Sequence, residues 1–242
     1  MMFHTTEILS RGAAELGLTL SSRQMKQFGT YHAELAAWNQ RVNLTAITEH
    51  RQVQVRHFLD SLTVLLALPG ELPSTFRLVD IGTGAGFPGL PLKLVLPDIH
   101  LFLVESAAKK AQFLEHLVEA LGLCGVEVLT GRAEQLAHRD DLRESFDLAV
   151  SRGLARLPTL LEYTLPFCRV GGRVALLKHG GIEQELAGAA RALDVLGGRL
   201  DRTYPVQVTG LTDNRVVVAV DKVRSTPPGY PRRPGMPGKR PL

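Results

Sequence analysis

Residues 78–89, Leu-Val-Asp-Ile-Gly-Thr-Gly-Ala-Gly-Phe-Pro-Gly, constrain the fold of this chain more than any other stretch. A short apolar run ends in Asp80, glycines follow at positions 82, 84, 86 and 89, and Pro88 stands where a helix would begin. This is the pattern of a buried strand that enters a tight turn and leaves it as a helix. Glycine admits positive φ and lets a ligand approach the main chain, which is why α/β proteins build nucleotide pockets on such turns.

From residue 76 onward the sequence alternates between strand and helix patterns. Strands are expected over 78–81, 101–105, 126–129, 148–151, 173–177, 204–208 and 216–220, and helices over 88–95, 107–121, 157–167 and 182–196. Such alternation predicts a parallel sheet with helices on both faces. The linker 209–214 is too short for a helical crossover, so the last two strands should form an antiparallel hairpin at one edge. Residues 1–72 read as helical. Ser21-Ser22 makes an N-cap before Met25, Phe28, Tyr31, Leu35 and Trp38, and an amphipathic helix over 53–68 is stopped by Pro69-Gly70. Residues 225–242 hold Pro227, Pro228, Pro231, Pro234, Pro237 and Pro241, which argue against both helix and central strand. The expected organisation is a helical region over 1–72, an α/β domain over 73–224, and a basic Pro/Gly-rich tail over 225–242.

The 242 residues, 45% of them hydrophobic, can bury a substantial core. No apolar run is long enough to span a membrane, and the first residues lack a signal-peptide layout, so no membrane partner is expected. Cys124 and Cys168 are far apart and belong to no Cys/His cluster. Neither a metal site nor a disulfide framework is expected, and the reducing cytoplasm is the default compartment, with a monomer the default state. The net charge of +4 is concentrated at one end. Beyond Asp221 there is no acid but six basic residues (Lys222, Arg224, Arg232, Arg233, Lys239, Arg240), leaving 22 basic against 24 acidic residues in positions 1–221. A near-neutral body with a basic end points to a polyanionic partner.

The glycine turn alone admits two ligands. Gly84, Gly86 and Gly89 fit the dinucleotide pattern G-x-G-x-x-G, whereas Asp80 in front of them would repel a pyrophosphate and suits the amine-bearing end of S-adenosylmethionine (SAM). Gly82 and Gly84 would allow close approach, and Phe87 could cover the ligand or pack in the core. Glu105 ends the second strand, where a carboxylate binds ribose hydroxyls. Ala133-Glu134 follows the third, where an acid and nearby backbone groups can read adenine. Acids at three successive strand ends, followed by five βα units and a hairpin, favour a doubly wound, Rossmann-like SAM-methyltransferase fold. An NAD-dependent oxidoreductase and a non-catalytic RNA-binding protein remain as alternatives.

The fourth strand ends in Ser151-Arg152-Gly153, without the Asn/Asp-Pro-Pro-aromatic motif that serves methylation of exocyclic amines. Guanine N7 carries an in-plane lone pair and no proton, so its methylation needs positioning and no general base. Arg152 is the candidate positioning residue. Neither cysteine stands at a strand end, as C5 methylation of cytosine would want.

Several separated motifs carry a resemblance. Asn43-Leu44-Thr45-Ala46-Ile47, Arg56-His57-Phe58-Leu59-Asp60-Ser61-Leu62, residues 80–89, Ser151-Arg152-Gly153 and the segment from Tyr230 through Arg232-Arg233-Pro234-Gly235 to Lys239 together resemble the RsmG (GidB) family of 16S rRNA guanine-N7 methyltransferases. The family usually has Ser-Arg-Ala where this chain has Gly153. The resemblance implies SAM contacts at Gly82, Phe87, Ala133-Glu134 and Arg152, to which the pocket chemistry adds Asp80, Gly84 and Glu105. It implies S-adenosylhomocysteine as product, and 16S rRNA or a small-subunit assembly intermediate as partner. It also places His57 and Asp60 in a segment facing the cleft. RNA contacts are expected at His57, Lys93, Arg232, Arg233 and Lys239, with Arg41 and Arg51 as further phosphate candidates. The tail is expected to bind RNA without affecting the cofactor.

Overall fold

The computed structural model describes residues 7–68, 70, 72–153 and 155–242; residues 1–6 of the expected helical region and the Pro69 helix stop lie outside them. The chain begins with α1 (Glu7–Glu15) and α2 (Ser22–Asn39). Ser21 caps α2 reciprocally with Gln24, as the sequence pattern suggests, and Phe28, Tyr31 and Leu35 form its buried stripe. A continuous helical segment follows: α3 (His50–Val53), a π-helical stretch Gln54–Leu59, α4 (Asp60–Leu62) and a 3-10 turn Thr63–Ala67. The π-helical stretch is absent from the sequence reading and buries Gln54, Val55, His57, Phe58 and Leu59 together.

The sheet consists of β1 (Arg77–Ile81), β2 (His100–Glu105), β3 (Val126–Thr130), β4 (Phe146–Arg152), β5 (Cys168–His179), β6 (Gly198–Pro205) and β7 (Arg215–Lys222). Its order is β3-β2-β1-β4-β5-β7-β6, with β1 to β5 parallel and β7 antiparallel to both its neighbours. Crossovers are made by α5 (Gly89–Val95), α6 (Ala108–Ala120), α7 (Ala133–Leu136), α8 (Leu157–Thr164) and the pair α9 (Ile182–Ala187) and α10 (Ala190–Leu196). Alternate residues of each strand enter opposite cores. Leu78, Leu101 and Leu148 join a cluster with Phe28, Tyr31 and Phe58 of the N-terminal helices, whereas Val79, Val104 and Ala149 face a cluster with Leu160 of α8 and Leu196 of α10.

Three local expectations are corrected. Strand β6 occupies 198–205 rather than 204–208, because it is a largely polar edge strand in which Leu200 and Tyr204 alone give a weak apolar signal. Val206 and Val208, the apolar residues that suggested a strand, instead bury themselves in the core from the connecting loop. The helix expected over 182–196 divides at Gly188, whose conformational freedom makes a helical turn costly to continue. The tail, expected to exclude helix, contains one turn, α11 (Met236–Lys239), with its proline in the first turn where no amide donor is needed.

Candidate active site

Parallel strands deliver their C-terminal ends to one edge of the sheet, and the site grows from that edge. Asp80, in β1, is fully buried. Its Oδ2 accepts hydrogen bonds from Thr83 Oγ1 (2.6 Å) and the Gly89 amide (2.8 Å). Oδ1 has no partner among the described residues. Burial pushes this carboxyl up to about 7, against the hydrogen bonds from Thr83 and Gly89 that favour its charged form. A Cβ on Gly89 would lie 2.8 Å from Leu103 Cδ2 and 2.9 Å from Asp80 Oδ2. Glycine at 89 therefore lets α5 start against β1 and β2, a packing requirement rather than a phosphate contact.

Glu105, at the end of β2, accepts from the Gly84 amide (3.0 Å) through Oε2 and from the Ala107 amide (2.8 Å) through Oε1. The amide a pyrophosphate would need is thus already engaged by a carboxylate. Each oxygen of Glu105 keeps acceptor capacity for a hydroxyl. Gly84 has φ +61°, and a Cβ there would meet nothing within 4 Å, so the turn presents its main chain to open space. Beside it lies a cavity of about 300 Å³ whose lining includes Gly82, Ala133, Glu134, Thr159, Tyr163 and Gly238. Glu134 Oε1 accepts from the Gly235 amide at 2.9 Å. A larger concavity of about 730 Å³ lies against the N-terminal helices and has no acid among its lining residues.

Arg152 ends β4. Its Nη1 donates to Asp60 Oδ2 (3.0 Å) and Arg56 O (3.1 Å), its Nη2 reaches His57 Nδ1 (3.3 Å), and its guanidinium carbon lies 4.9 Å from the centroid of the Phe87 ring. Gly153, with φ +62°, turns the chain immediately afterwards in a conformation that disfavours the alanine common in the family. Asp60 also pairs with Arg215, which holds Asp213 through two hydrogen bonds of 2.6 and 3.0 Å. His57 is buried, and burial followed by the Arg152 charge lowers its pKa to about 4. His57 Nδ1 also lies 3.1 Å from Arg56 O, and its Nε2 lies 2.8 Å from Thr45 Oγ1, so both ring nitrogens are engaged.

Phe87 is buried, stacked against Tyr31 (5.2 Å, 4°) and His57 (4.6 Å, 24°). Its ring serves the core of the site, leaving little surface to cover a ligand. Tyr31, which the sequence offered only as a member of a helical stripe, donates from its hydroxyl to Ala85 O (2.6 Å) and so fixes the glycine turn. Burial raises its pKa, keeping it a donor.

The residues expected to meet RNA are scattered. Lys93 is corrected: it is buried, and its ammonium donates to Pro97 O (2.7 Å) and Ile99 O (2.6 Å) rather than standing free in solvent. Arg232 is engaged internally by Glu162, whose carboxylate takes its amide, Nε and Nη2. Arg233 and Lys239 are exposed and form no ion pair among the described residues. Arg41 lies over Trp38, and Arg51 lines the N-terminal concavity. The tail packs against the cavity through Glu134 and Gly238. Arg215, Thr159, Tyr163 and Glu162 had no local signal; only strand order brings them here.

These features fit SAM. A buried carboxylate keeps one oxygen without a partner among the described residues, a second acid retains acceptors for a ribose, and a pocket of suitable size adjoins a third.

The family model for rRNA small subunit methyltransferase G matches residues 24–210. A ribosomal RNA small subunit methyltransferase G of Roseiflexus castenholzii is 49% identical over 97% of this chain and 98% of its own length. The protein of that name from Dehalococcoides mccartyi is 48% identical over 96% of this chain and 97% of its own. Among solved structures, a chain from the complex of the Haloferax volcanii Trm112 methyltransferase activator with a methyltransferase has a TM-score of 0.57. It is 15% identical and covers 79% of this chain and 98% of that one, a likeness of fold. The chain belongs to the rRNA small subunit methyltransferase G family.

Proposed function

We propose that this protein transfers the methyl group of SAM to N7 of one guanosine in the 16S rRNA of the small ribosomal subunit. The observation that carries the reading is that Asp80 and Glu105 hold the glycine turn while Glu134 lines the cavity beside it, in a chain of this family. Bound SAM supplies an electrophilic methyl on a sulfonium.

The protein's own groups bind and orient. Asp80 Oδ1 faces the amine, Glu105 accepts the ribose hydroxyls, and Glu134 marks the adenine end. The Phe87-Tyr31-His57 stack holds the turn rigid. At the end of β4, where removal of an amine proton would call for an acceptor, Arg152 offers only donors. A donor suits a base attacking through N7 where it is confined to the O6 carbonyl and leaves the N7 lone pair to the methyl. Reaching N7 in line with the methyl requires the guanine to leave its stack. Arg233, Lys239 and Arg240 are exposed tail residues able to meet phosphates.

The test is incubation of the protein with labelled SAM and either naked 16S rRNA or small-subunit particles. Borohydride reduction and aniline cleavage then map 7-methylguanosine. Cleavage at one guanosine is expected. Label that appears only in exocyclic amines or ribose would overturn the assignment.

A further inference from the structure

The C-terminal segment 226–242 is bound to the body of the protein by an unusual density of polar contacts. Arg143 donates to Thr226 O, Pro227 O and Tyr230 O, at 2.9, 3.1 and 2.9 Å. His138 Nε2 lies 2.9 Å from Pro231 O. Glu162, fully buried in α8, receives three donors of Arg232, the shortest at 2.6 Å. Up to this point the segment could be a simple strap over α7 and α8.

Its last turn does more. The Gly235 amide donates to Glu134 Oε1, Thr159 Oγ1 donates to Pro237 O (3.0 Å), and Gly238 stands beside Tyr163. Glu134, Thr159, Tyr163 and Gly238 all line the cavity that also contains Gly82 and Ala133. The strap therefore forms part of the cavity wall, on the side that Glu134, Thr159 and Tyr163 share. With the amine end at Asp80 and the ribose at Glu105, what lies against the strap is the purine. Glycines at 235 and 238 suit a flat ring, since they place main chain rather than side chains beside its face.

We propose that the C-terminal strap is a wall of the adenosine end of the cofactor site, so that adenosine-bearing ligands bind tightly only to a chain whose strap is docked. This rests on the SAM reading given above. It also accounts for the inward engagement of Arg232, which an RNA-binding tail would leave free.

The test uses the full-length protein and Gly238→Leu. A Cβ at 238 has no neighbour closer than Tyr163 Oη at 3.9 Å, so the longer side chain enters the cavity without forcing the backbone. Calorimetric titration with S-adenosylhomocysteine and with 5′-methylthioadenosine, which lacks the amino-acid end, should show both weakened alike, by about tenfold or more. Thermal unfolding without ligand checks that the variant is folded. Hydrogen exchange of wild type should slow across 232–239 when S-adenosylhomocysteine is added. If wild type binds S-adenosylhomocysteine while the folded variant binds it equally well and strap exchange is unchanged, the strap assignment is overturned alone. Failure of wild type to bind either ligand overturns the SAM reading beneath it.

Discussion

Asp60→Asn tests the site where its electrostatics are most concentrated. The Asp60 side chain is 3% exposed and receives Arg152 on one oxygen and Arg215 on the other. Asparagine preserves the volume, but presents one acceptor and one donor to two guanidinium groups. Arg215, 6% exposed, retains Asp213, whereas Arg152 loses its only carboxylate partner among the described residues. Removing one partner of a fully buried pair costs about 3–5 kcal/mol; the retained Asp213 and the 16% exposure of Arg152 reduce this to about 2–3 kcal/mol. For a chain of this size that is a fall of roughly 5–10 °C in Tm. Urea unfolding of wild type, Asp60→Asn, Arg152→Gln and the double variant closes a cycle. The Asp60–Arg152 coupling should be about 1–2 kcal/mol, and methyl transfer should fall in both single variants. Effects that add to within about 0.5 kcal/mol would refute the claim that Asp60 holds Arg152.

Gly89→Ala should destabilise by about 1–3 kcal/mol, read from the urea midpoint, because the new methyl overlaps Leu103 and Asp80 in a packed core; an unchanged midpoint would mean the turn yields freely. His57, held near 4 in the fold against 6.5 when unfolded, stays neutral in the native state while the unfolded chain takes up a proton. Its contribution to stability is complete above about pH 6.5 and declines as pH falls toward 4, so stability profiles of wild type and His57→Gln should converge over that window. Parallel profiles would count against the buried neutral imidazole. Asp80, raised to about 7, should ionise as the cationic amine of SAM approaches, so binding just below that pH should release a proton, measured by calorimetry in buffers of differing ionisation enthalpy. Buffer-independent heats would remove Asp80 from contact with the amine.

What the sequence disclosed follows a physical division. Strand ends, helix caps and the glycine turn depend on neighbouring residues, so Asp80, Glu105, Glu134 and the cap at Ser21 were legible from local pattern. The largely polar edge strand β6 carried only a weak apolar signal and was misplaced. Lys93 looked like a surface cation because nothing nearby in sequence reveals that two carbonyls close over its ammonium. Tyr31 reaching Ala85 across 54 positions, or Arg215 reaching Asp60, depends on strand order and register. Those are properties of the assembled sheet.

The same division explains why net charge was a poor guide to the tail. Six cations after Asp221 suggested a uniform polyanion contact, yet burial assigns them different tasks. Lys222 is fully buried, bonded to Leu165 O and Leu196 O and paired with Glu144, and it fixes the point where the strap leaves β7. Arg232 neutralises Glu162, an acid no side chain of α8 itself could satisfy. Charges with such partners contribute little to the outer field, which falls to exposed groups such as Arg233 and Lys239. A tail that had only to attract RNA would keep all its cations in water. One that turns Arg232 inward onto Glu162 and starts from a buried Lys222 is fastened to hold a shape, and its last turn lies against the pocket next to Glu134.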